Sequence, residues 1–230
     1  MTRILAIETA TEACSAALLV DDSVRERFEI APRQHVALIL PFMESLLADA
    51  GTSLAQLDAV AFGRGPGSFT GVRIAASLTQ GIAFGADLPV IPVSTLAALA
   101  QGTVREQGAA AVLAALDARM QEVYWGGFRC DAQGLVRGVI EECVCAPDSV
   151  ECPQQDAWAG AGSGWDVYTE ILAARCSVAD TAVYTQQQPH AADVARLAAR
   201  AFAQNEVLAP EQAVPVYLRN NVAAKPKPKA

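Results

Sequence analysis

Apolar and polar residues follow one another in patterns that predict a mixed α/β chain. Three apolar stretches open the sequence, at 3–8, 14–20 and 24–30, and the third alternates with a period close to two. Small polar residues at 9–13 and two aspartates at 21–22 supply turn signals between the stretches. The chain is therefore predicted to begin with a three-stranded antiparallel meander.

Helical and extended patterns alternate after the meander. Pro41 lies inside the first helical pattern, where it predicts a kink or a later helix start, and Gly51 predicts the helix end. Ser94 is a favourable N-cap for the last predicted helix. In order, the predicted elements are helix 36–50, strand 57–62, a glycine-rich loop at 63–68, helix 70–85, strand 90–93 and helix 96–101.

The second half of the chain repeats this order, which indicates two related α/β lobes. The first lobe is predicted to comprise residues 1–105, completed by a returning segment at 190–222, and the second to comprise residues 106–189, with a boundary near 102–108. The predicted elements of this half are strands 111–116, 122–129, 136–145 and 157–161 and helices 165–174 and 191–204.

Charge and hydropathy limit the function classes. The formal net charge of −8 disfavours direct RNA binding, and no apolar run approaches the ~20 residues of a membrane span. We therefore expect a cytoplasmic protein without a membrane contact. Residues 223–230 are predicted to form a disordered basic tail in which lysines alternate with prolines. A solubilising role is preferred for this tail, with a weak tRNA contact as the alternative.

Six cysteines in a cytosolic protein are expected to be reduced thiols. Cys143, Cys145 and Cys152 cluster along the sequence, but their spacing does not fit paired zinc ligands and no histidine is near. We interpret them as half-buried strand and loop residues.

A glycine-rich loop and an acidic turn are the candidates for binding chemistry. Gly65, Gly67 and Ser68 follow a strand and open a helix, so they could hold a phosphate or serve only as a structural turn. The Lys-Ser/Thr ending of a P-loop is absent. The turn at 8–12 carries Glu8, Thr9 and Glu12, which could contact phosphate and magnesium or could simply end a strand in solvent.

The helix at 70–85 is unusually rich in small residues, which would let a second helix approach closely. We predict that it lies at a subunit interface together with the helix at 36–50. The predicted contact residues are Val72, Ile74, Ala75, Leu78, Ile82, Leu40, Met43 and Leu47.

Several segments in order along the chain resemble the TsaB family of bacterial proteins. They are the opening Ile4–Thr9, the Gln34-His35 helix start, the segment Gly63–Arg73, the segment Pro92–Leu96 and the late Pro215–Arg219. Residues 63–73 are the most specific of these, whereas residues 100–190 match only in general pattern.

The resemblance implies a duplicated, two-lobed α/β fold of the actin/sugar-kinase (ribonuclease H-like) type. It also implies a heterodimer with TsaD, the paralogue that transfers a threonylcarbamoyl group to adenosine 37 of ANN-decoding tRNAs, and contact with the ATPase TsaE. ATP or ADP and a divalent metal are then expected on the partner subunits, with none bound tightly by this chain. The chain alone is predicted to form a homodimer and to meet tRNA only indirectly.

The same resemblance implies a non-catalytic role. The paralogue carries a His-x-x-x-His metal pair after the strand that corresponds to residues 90–93, and the matching positions here are Thr95 and Leu99. A leucine has no ligand atom, and a lone threonine hydroxyl is a poor metal ligand. Two alternatives stay open: an ATP-dependent small-molecule kinase of the same fold, and a peptidase.

Overall fold

The computed structural model of this chain describes residues 2–153 and 157–219, and the predicted basic tail at 223–230 lies outside them. The strands are β1 (Arg3–Glu8), β2 (Ala13–Val20), β3 (Ser23–Ile30), β4 (Ala59–Gly63), β5 (Val90–Val93), β6 (Ala111–Asp117), β7 (Val123–Cys130), β8 (Val136–Cys145), β9 (Ala159–Ala161) and β10 (Val183–Tyr184). The helices are α1 (His35–Asp49), α2 (Phe69–Ala86), α3 (Thr95–Gln107), α4 (Ser163–Cys176) and α5 (Ala191–Ala203).

The first sheet has the strand order β3-β2-β1-β4-β5. The predicted meander is confirmed, since β1 to β3 pair antiparallel, while β4 and β5 continue the sheet parallel to β1. On β1, Leu5 and Ile7 pack on one side of the sheet, and Ile4 and Ala6 pack on the other. Burial on both faces explains why this strand is an unbroken apolar run instead of an alternating one.

The second sheet repeats the topology of the first. Its strand order is β10-β9-β6-β7-β8. Strands β6, β7 and β8 form an antiparallel meander, and β9 and β10 extend the sheet beyond β6 in parallel orientation, as β4 and β5 do beyond β1. The predicted duplicated fold of the actin and ribonuclease H-like type is therefore confirmed. Between β8 and β9 the described residues form only a short 3-10 turn, where the first lobe has α1.

Helices fill three layers around the two sheets. Helices α1 and α2 cover the outer face of the first sheet, and α4 covers the outer face of the second. Helices α3 and α5 lie between the sheets, in one apolar core that takes side chains from both. No helix among the described residues is both long and apolar enough to span a membrane.

The boundary predicted near residues 102–108 coincides with the second half of a helix. Helix α3 runs through it to Gln107 and packs against both α5 and the second sheet. Gly102 is buried there, and a methyl group at that position would lie 3.0 Å from a carboxylate oxygen of Asp193 on α5. Helix α5 in turn packs on the first sheet, and the part of the predicted segment 190–222 that follows residue 219 lies outside the described residues.

Two local expectations need correction. Pro41 neither delays nor divides α1, which begins at His35 and continues to Asp49. A disulfide joins Cys152 to Cys176, with Cα atoms 5.1 Å apart, so the prediction of six reduced thiols is wrong for this pair. The fold brings the loop after β8 against the end of α4, a proximity that 24 residues of separation do not show. Cys143, Cys145 and Cys152 are half-buried, as expected.

Candidate functional site

The turn after β1 and the loop after β4 meet at the carboxyl edge of the first sheet, where parallel strands place ligand sites in open α/β sheets. Glu8 ends β1 and has no contact with solvent. Its Oε1 accepts a hydrogen bond from the Ala10 amide at 2.7 Å, and its Oε2 accepts one from the Thr95 hydroxyl at 3.0 Å. Gly63 lies against this carboxyl group, and a methyl group there would overlap it.

Burial dominates the electrostatics of Glu8. Removal from water raises the pKa of this carboxyl from 4.5 to about 7, although the bonds from Ala10 and Thr95 act in the opposite direction. Near neutral pH, Glu8 is therefore divided between its charged and its neutral form. A carboxyl group with this pKa could hold or release a proton inside the first lobe.

The glycines of the loop allow it to pack tightly on the acidic turn. A methyl group at Gly67 would lie 2.4 Å from the carbonyl oxygen of Ala10, and one at Gly71 would lie 2.0 Å from that of Thr9. The Ser68 amide donates to the Ala10 carbonyl at 2.7 Å, and the Thr9 hydroxyl donates to the Gly71 carbonyl at 2.8 Å. The close approach that these glycines permit is thus to the chain's own backbone.

This packing bears on the six residues predicted to hold phosphate. Glu8, Thr9 and Gly65 are buried, and the space beside Gly67 is filled by Ala10. Only Glu12 and Ser68 are exposed, and the Ser68 hydroxyl accepts from the Gly71 amide as the N-cap of α2. The two segments come together as predicted, but their described geometry does not fit a phosphate cradle, and nucleotide binding here stays a prediction.

A second candidate is the outer face of α1 and α2, which carries large apolar side chains in solvent. Val36 and Leu40 on α1 are 70% and 47% exposed, and Phe84 on α2 is 61% exposed. Ser77, Gly81 and Gly85 lie at four-residue intervals on the exposed side of α2. We call this surface, formed by Val36, Leu40, Ile74, Ser77, Gly81, Phe84 and Gly85, the two-helix face.

The predicted interface residues divide into two groups in the structure. Val72, Ala75 and Met43 are buried against the first sheet, so a partner could not touch them in this conformation. Leu40 is exposed and Ile74 is half-buried within the two-helix face, and the half-buried residues at its border are Leu78, Ile82 and Leu47. Val36 was not predicted, whereas Ser77, Gly81 and Phe84 belong to the small and apolar residues on which the interface prediction for this helix rests. A helical projection of α2 centred on Ser77 separates these outward residues from Val72 and Ala75.

Comparison with known proteins identifies the family. The sequence profile of TsaD, described as tRNA N6-adenosine threonylcarbamoyltransferase, matches residues 28–227. The tRNA threonylcarbamoyladenosine biosynthesis protein TsaB of Escherichia coli is 46% identical over 230 residues, which cover 98% of each chain. This chain belongs to the TsaB family. The Haemophilus influenzae TsaB is 41% identical over 98% of this chain and 97% of that protein.

A solved structure supports the same membership. YeaZ from Pseudomonas aeruginosa superposes with a TM-score of 0.89 at 47% identity, over 95% of this chain and all of that one. Agreement at this level extends to both lobes, including residues 100–190, where the motifs quoted for the TsaB resemblance are sparse.

In this TsaB-family chain, the two positions that correspond to the paralogue's metal pair face inward. The Thr95 hydroxyl donates to Glu8, and Leu99 is fully buried in the core between the sheets. Within residues 2–153 and 157–219, no three His, Cys, Asp or Glu side chains group closely enough to hold a metal ion. A buried hydrogen bond and an apolar contact therefore occupy the place where the resemblance puts metal ligands.

The two histidines have structural partners. His35 Nε2 lies 2.9 Å from the Thr11 carbonyl oxygen, which ties the start of α1 to the first turn. The His190 ring stacks on Phe28 at 4.2 Å, and its Nδ1 lies 3.0 Å from a Glu26 carboxylate oxygen. Burial lowers the pKa of His190, but the acidic neighbours, Glu26 foremost, outweigh it and leave that pKa raised.

Proposed function

We propose that this chain is a non-catalytic subunit for threonylcarbamoylation of adenosine 37 in ANN-decoding tRNAs, and that its two-helix face binds the TsaD-type transferase. The observation that carries the proposal is the exposure of Val36, Leu40 and Phe84 on that face, beside two glycines inside α2. The relatives' name supports the pathway, because E. coli TsaB is called a threonylcarbamoyladenosine biosynthesis protein.

The glycines of α2 supply the physical argument for a partner. Glycine inside a helix costs about 1 kcal/mol relative to alanine. A methyl group at Gly81 or Gly85 would meet no atom within 4 Å, so packing within this chain does not require glycine at either position. Close approach of a second helix would require it, since small residues bring helix axes together.

The residues at the two positions that correspond to the paralogue's metal pair support a non-catalytic role. Leu99 offers no ligand atom, and the Thr95 hydroxyl is already bonded to Glu8. Nucleotide and divalent metal would then be held by partner subunits, with TsaE as the second partner and tRNA bound through the assembly. The chain alone would pair with its own copy, and the whole assembly would work in the cytoplasm.

Reconstitution tests this function. We expect the TsaD homologue, with TsaE, ATP and a donor of the threonylcarbamoyl group, to modify tRNA only when this chain is added. Full modification without this chain, or turnover by this chain alone, would refute the proposed role.

A surface variant tests the face. Ser77→Arg places a charge on the exposed side of α2 and should weaken binding to the TsaD homologue at least about tenfold, because the charge must be desolvated in an apolar contact. Ser149→Arg, exposed in the second lobe, is the matched control and should bind like the wild type. Ala76 is unsuitable for this test because it is buried, and Ala76→Glu would disturb the fold instead. Equal binding by Ser77→Arg and wild type would show that the partner uses another surface.

A further inference from the structure

Arg73 is held in place by two aromatic rings and one hydrogen bond at the start of α2. Its guanidinium carbon lies 3.6 Å from the centre of the Phe69 ring and 5.7 Å from that of Tyr217. Its Nε donates to the Tyr217 hydroxyl at 2.9 Å. Phe69 and Tyr217 are themselves 59% and 47% exposed, so this group stands at the surface of the first lobe.

These contacts use one face of the guanidinium and its Nε. They leave the edge that carries Nη1 and Nη2 available to a ligand. Across the described ranges 2–153 and 157–219, Arg73 makes no ion pair and no hydrogen bond other than the one to Tyr217. Its Nη1 and Nη2 groups keep four N–H donors in a planar fork, the geometry that receives a carboxylate or a phosphate with two parallel bonds. Because its rotamer is already restricted, less side-chain entropy remains to be lost on binding.

The surroundings decide between the two anions. Arg73 is the only charged residue among the 18 residues of α2, and α1 carries no lysine or arginine. Phosphate backbones are bound by several cations acting together, whereas Arg73 is the only lysine or arginine on α1 and α2. A single arginine packed beside two exposed aromatic rings, next to an apolar helix surface, is instead typical of a protein–protein hot spot.

We propose that Arg73 is a preorganised anchor for an aspartate or glutamate side chain on a helix of the partner protein. The inference rests on the proposed function, since the partner is the protein proposed to bind the two-helix face. Arg73, Ser77 and Gly81 follow one another at four-residue intervals on α2, so Arg73 lies in line with that face. A partner helix that crosses α2 closely at Gly81 would therefore present its carboxylate about two turns, or ~12 Å, from the crossing point. The anchor fixes where along α2 the partner helix docks, whereas the small residues fix only how closely it approaches.

Binding of purified variants to the TsaD homologue, measured by calorimetry at 50, 150 and 500 mM salt, tests the anchor. Arg73→Gln should weaken binding about 30-fold and flatten its salt dependence, since it leaves the partner's carboxylate unpaired. Arg73→Lys should stay about fivefold or more weaker than wild type, because lysine lacks the fork. Tyr217→Phe should weaken binding about threefold to tenfold by releasing Nε. Arg137→Gln, an exposed arginine of the second lobe, is the control and should bind normally.

The outcomes separate this inference from the function on which it rests. Binding by Arg73→Gln within twofold of wild type, alongside loss of binding by Ser77→Arg, overturns the anchor and leaves the proposed interface in place. Equal affinity of Arg73→Lys and wild type also overturns the bidentate anchor. No binding by wild type overturns the proposed function and the anchor together. Urea unfolding of each variant, expected to match wild type because Arg73 and Tyr217 are exposed, separates lost affinity from lost fold.

Discussion

A carboxyl group without solvent contact ends the first strand, and its hydrogen bonds do not compensate for its burial. Glu8 has a pKa of about 7 because removal from water disfavours its charged form more than Ala10 and Thr95 favour it. The folded chain therefore binds this proton more tightly than the unfolded chain, whose glutamate titrates near 4.5. A difference of this kind makes the stability of the protein depend on pH.

Glu8→Gln tests this coupling. The contribution of Glu8 to the free energy of unfolding is fully present below about pH 4.5 and is lost as the pH rises to about 7, a total of about 3 kcal/mol. The neutral amide should remove that decline, so the variant should exceed wild type in stability at pH 8 and match it at pH 4. Urea unfolding at both pH values measures the difference. Glu12→Gln, exposed in the same turn, should keep the wild-type decline, and an unchanged decline in Glu8→Gln would contradict the assignment.

At the scale of an element, α2 contains glycines of two kinds. Gly71 is there because the helix start touches the carbonyl of Thr9, with no room for a methyl group. Gly81 has open space beside it and lies on the two-helix face. One helix therefore packs inward through a glycine at its beginning and leaves small residues facing outward further along.

Alanine substitutions should separate the two kinds of glycine. Gly71→Ala should lower the free energy of unfolding by about 2 kcal/mol, because its methyl group would overlap the Thr9 carbonyl. Gly81→Ala should raise it by about 1 kcal/mol through helix propensity alone. Chemical unfolding of the free chain measures both. Destabilisation by Gly81→Ala would mean that this position serves the fold rather than a partner.

On the scale of the whole molecule, α3 and α5 hold the lobes together. Both lie in the core between the sheets, and the fully buried Asp193 of α5 accepts hydrogen bonds from Arg105 of α3 at 2.9 and 3.0 Å. Arg196, one turn further along α5, adds a third at 3.1 Å. A shared core with a buried ion pair across it predicts that the lobes unfold in a single transition.

Asp193→Asn should lower the free energy of unfolding by about 3 kcal/mol, since it removes the buried negative charge with which Arg105 and Arg196 both pair. All three tryptophans, Trp125, Trp158 and Trp165, lie in the second lobe, so their fluorescence follows that lobe while far-ultraviolet circular dichroism follows the whole chain. The two midpoints should coincide in wild type and fall together in the variant. Asp22→Asn, in an exposed turn, is the control. Separate midpoints in wild type would contradict the shared core.

Local patterns predicted most of the secondary structure because strands and helices are decided by neighbours in sequence. The predicted meander differs from β1, β2 and β3 by at most one residue at each end, and Val90–Val93 is β5 itself. Pro41 misled the prediction, since α1 runs through it as one helix from His35 to Asp49. The disulfide between Cys152 and Cys176 was missed because only the fold brings the two sulfur atoms together.

The amino-acid sequence by itself determined the two-lobed α/β class, the glycine-rich loop and the family, since these depend on the order and spacing of residues along the chain. Tertiary structure alone decided that Gly67 and Gly71 pack against the turn at residues 9–10 and that Glu8 is fully buried. It also decided that Val72 and Ala75 face inward while Ser77 and Gly81 face outward. The physical reason is that burial depends on which surfaces distant segments cover. The composition of a helix with small residues on every side does not show which side packs against the sheet.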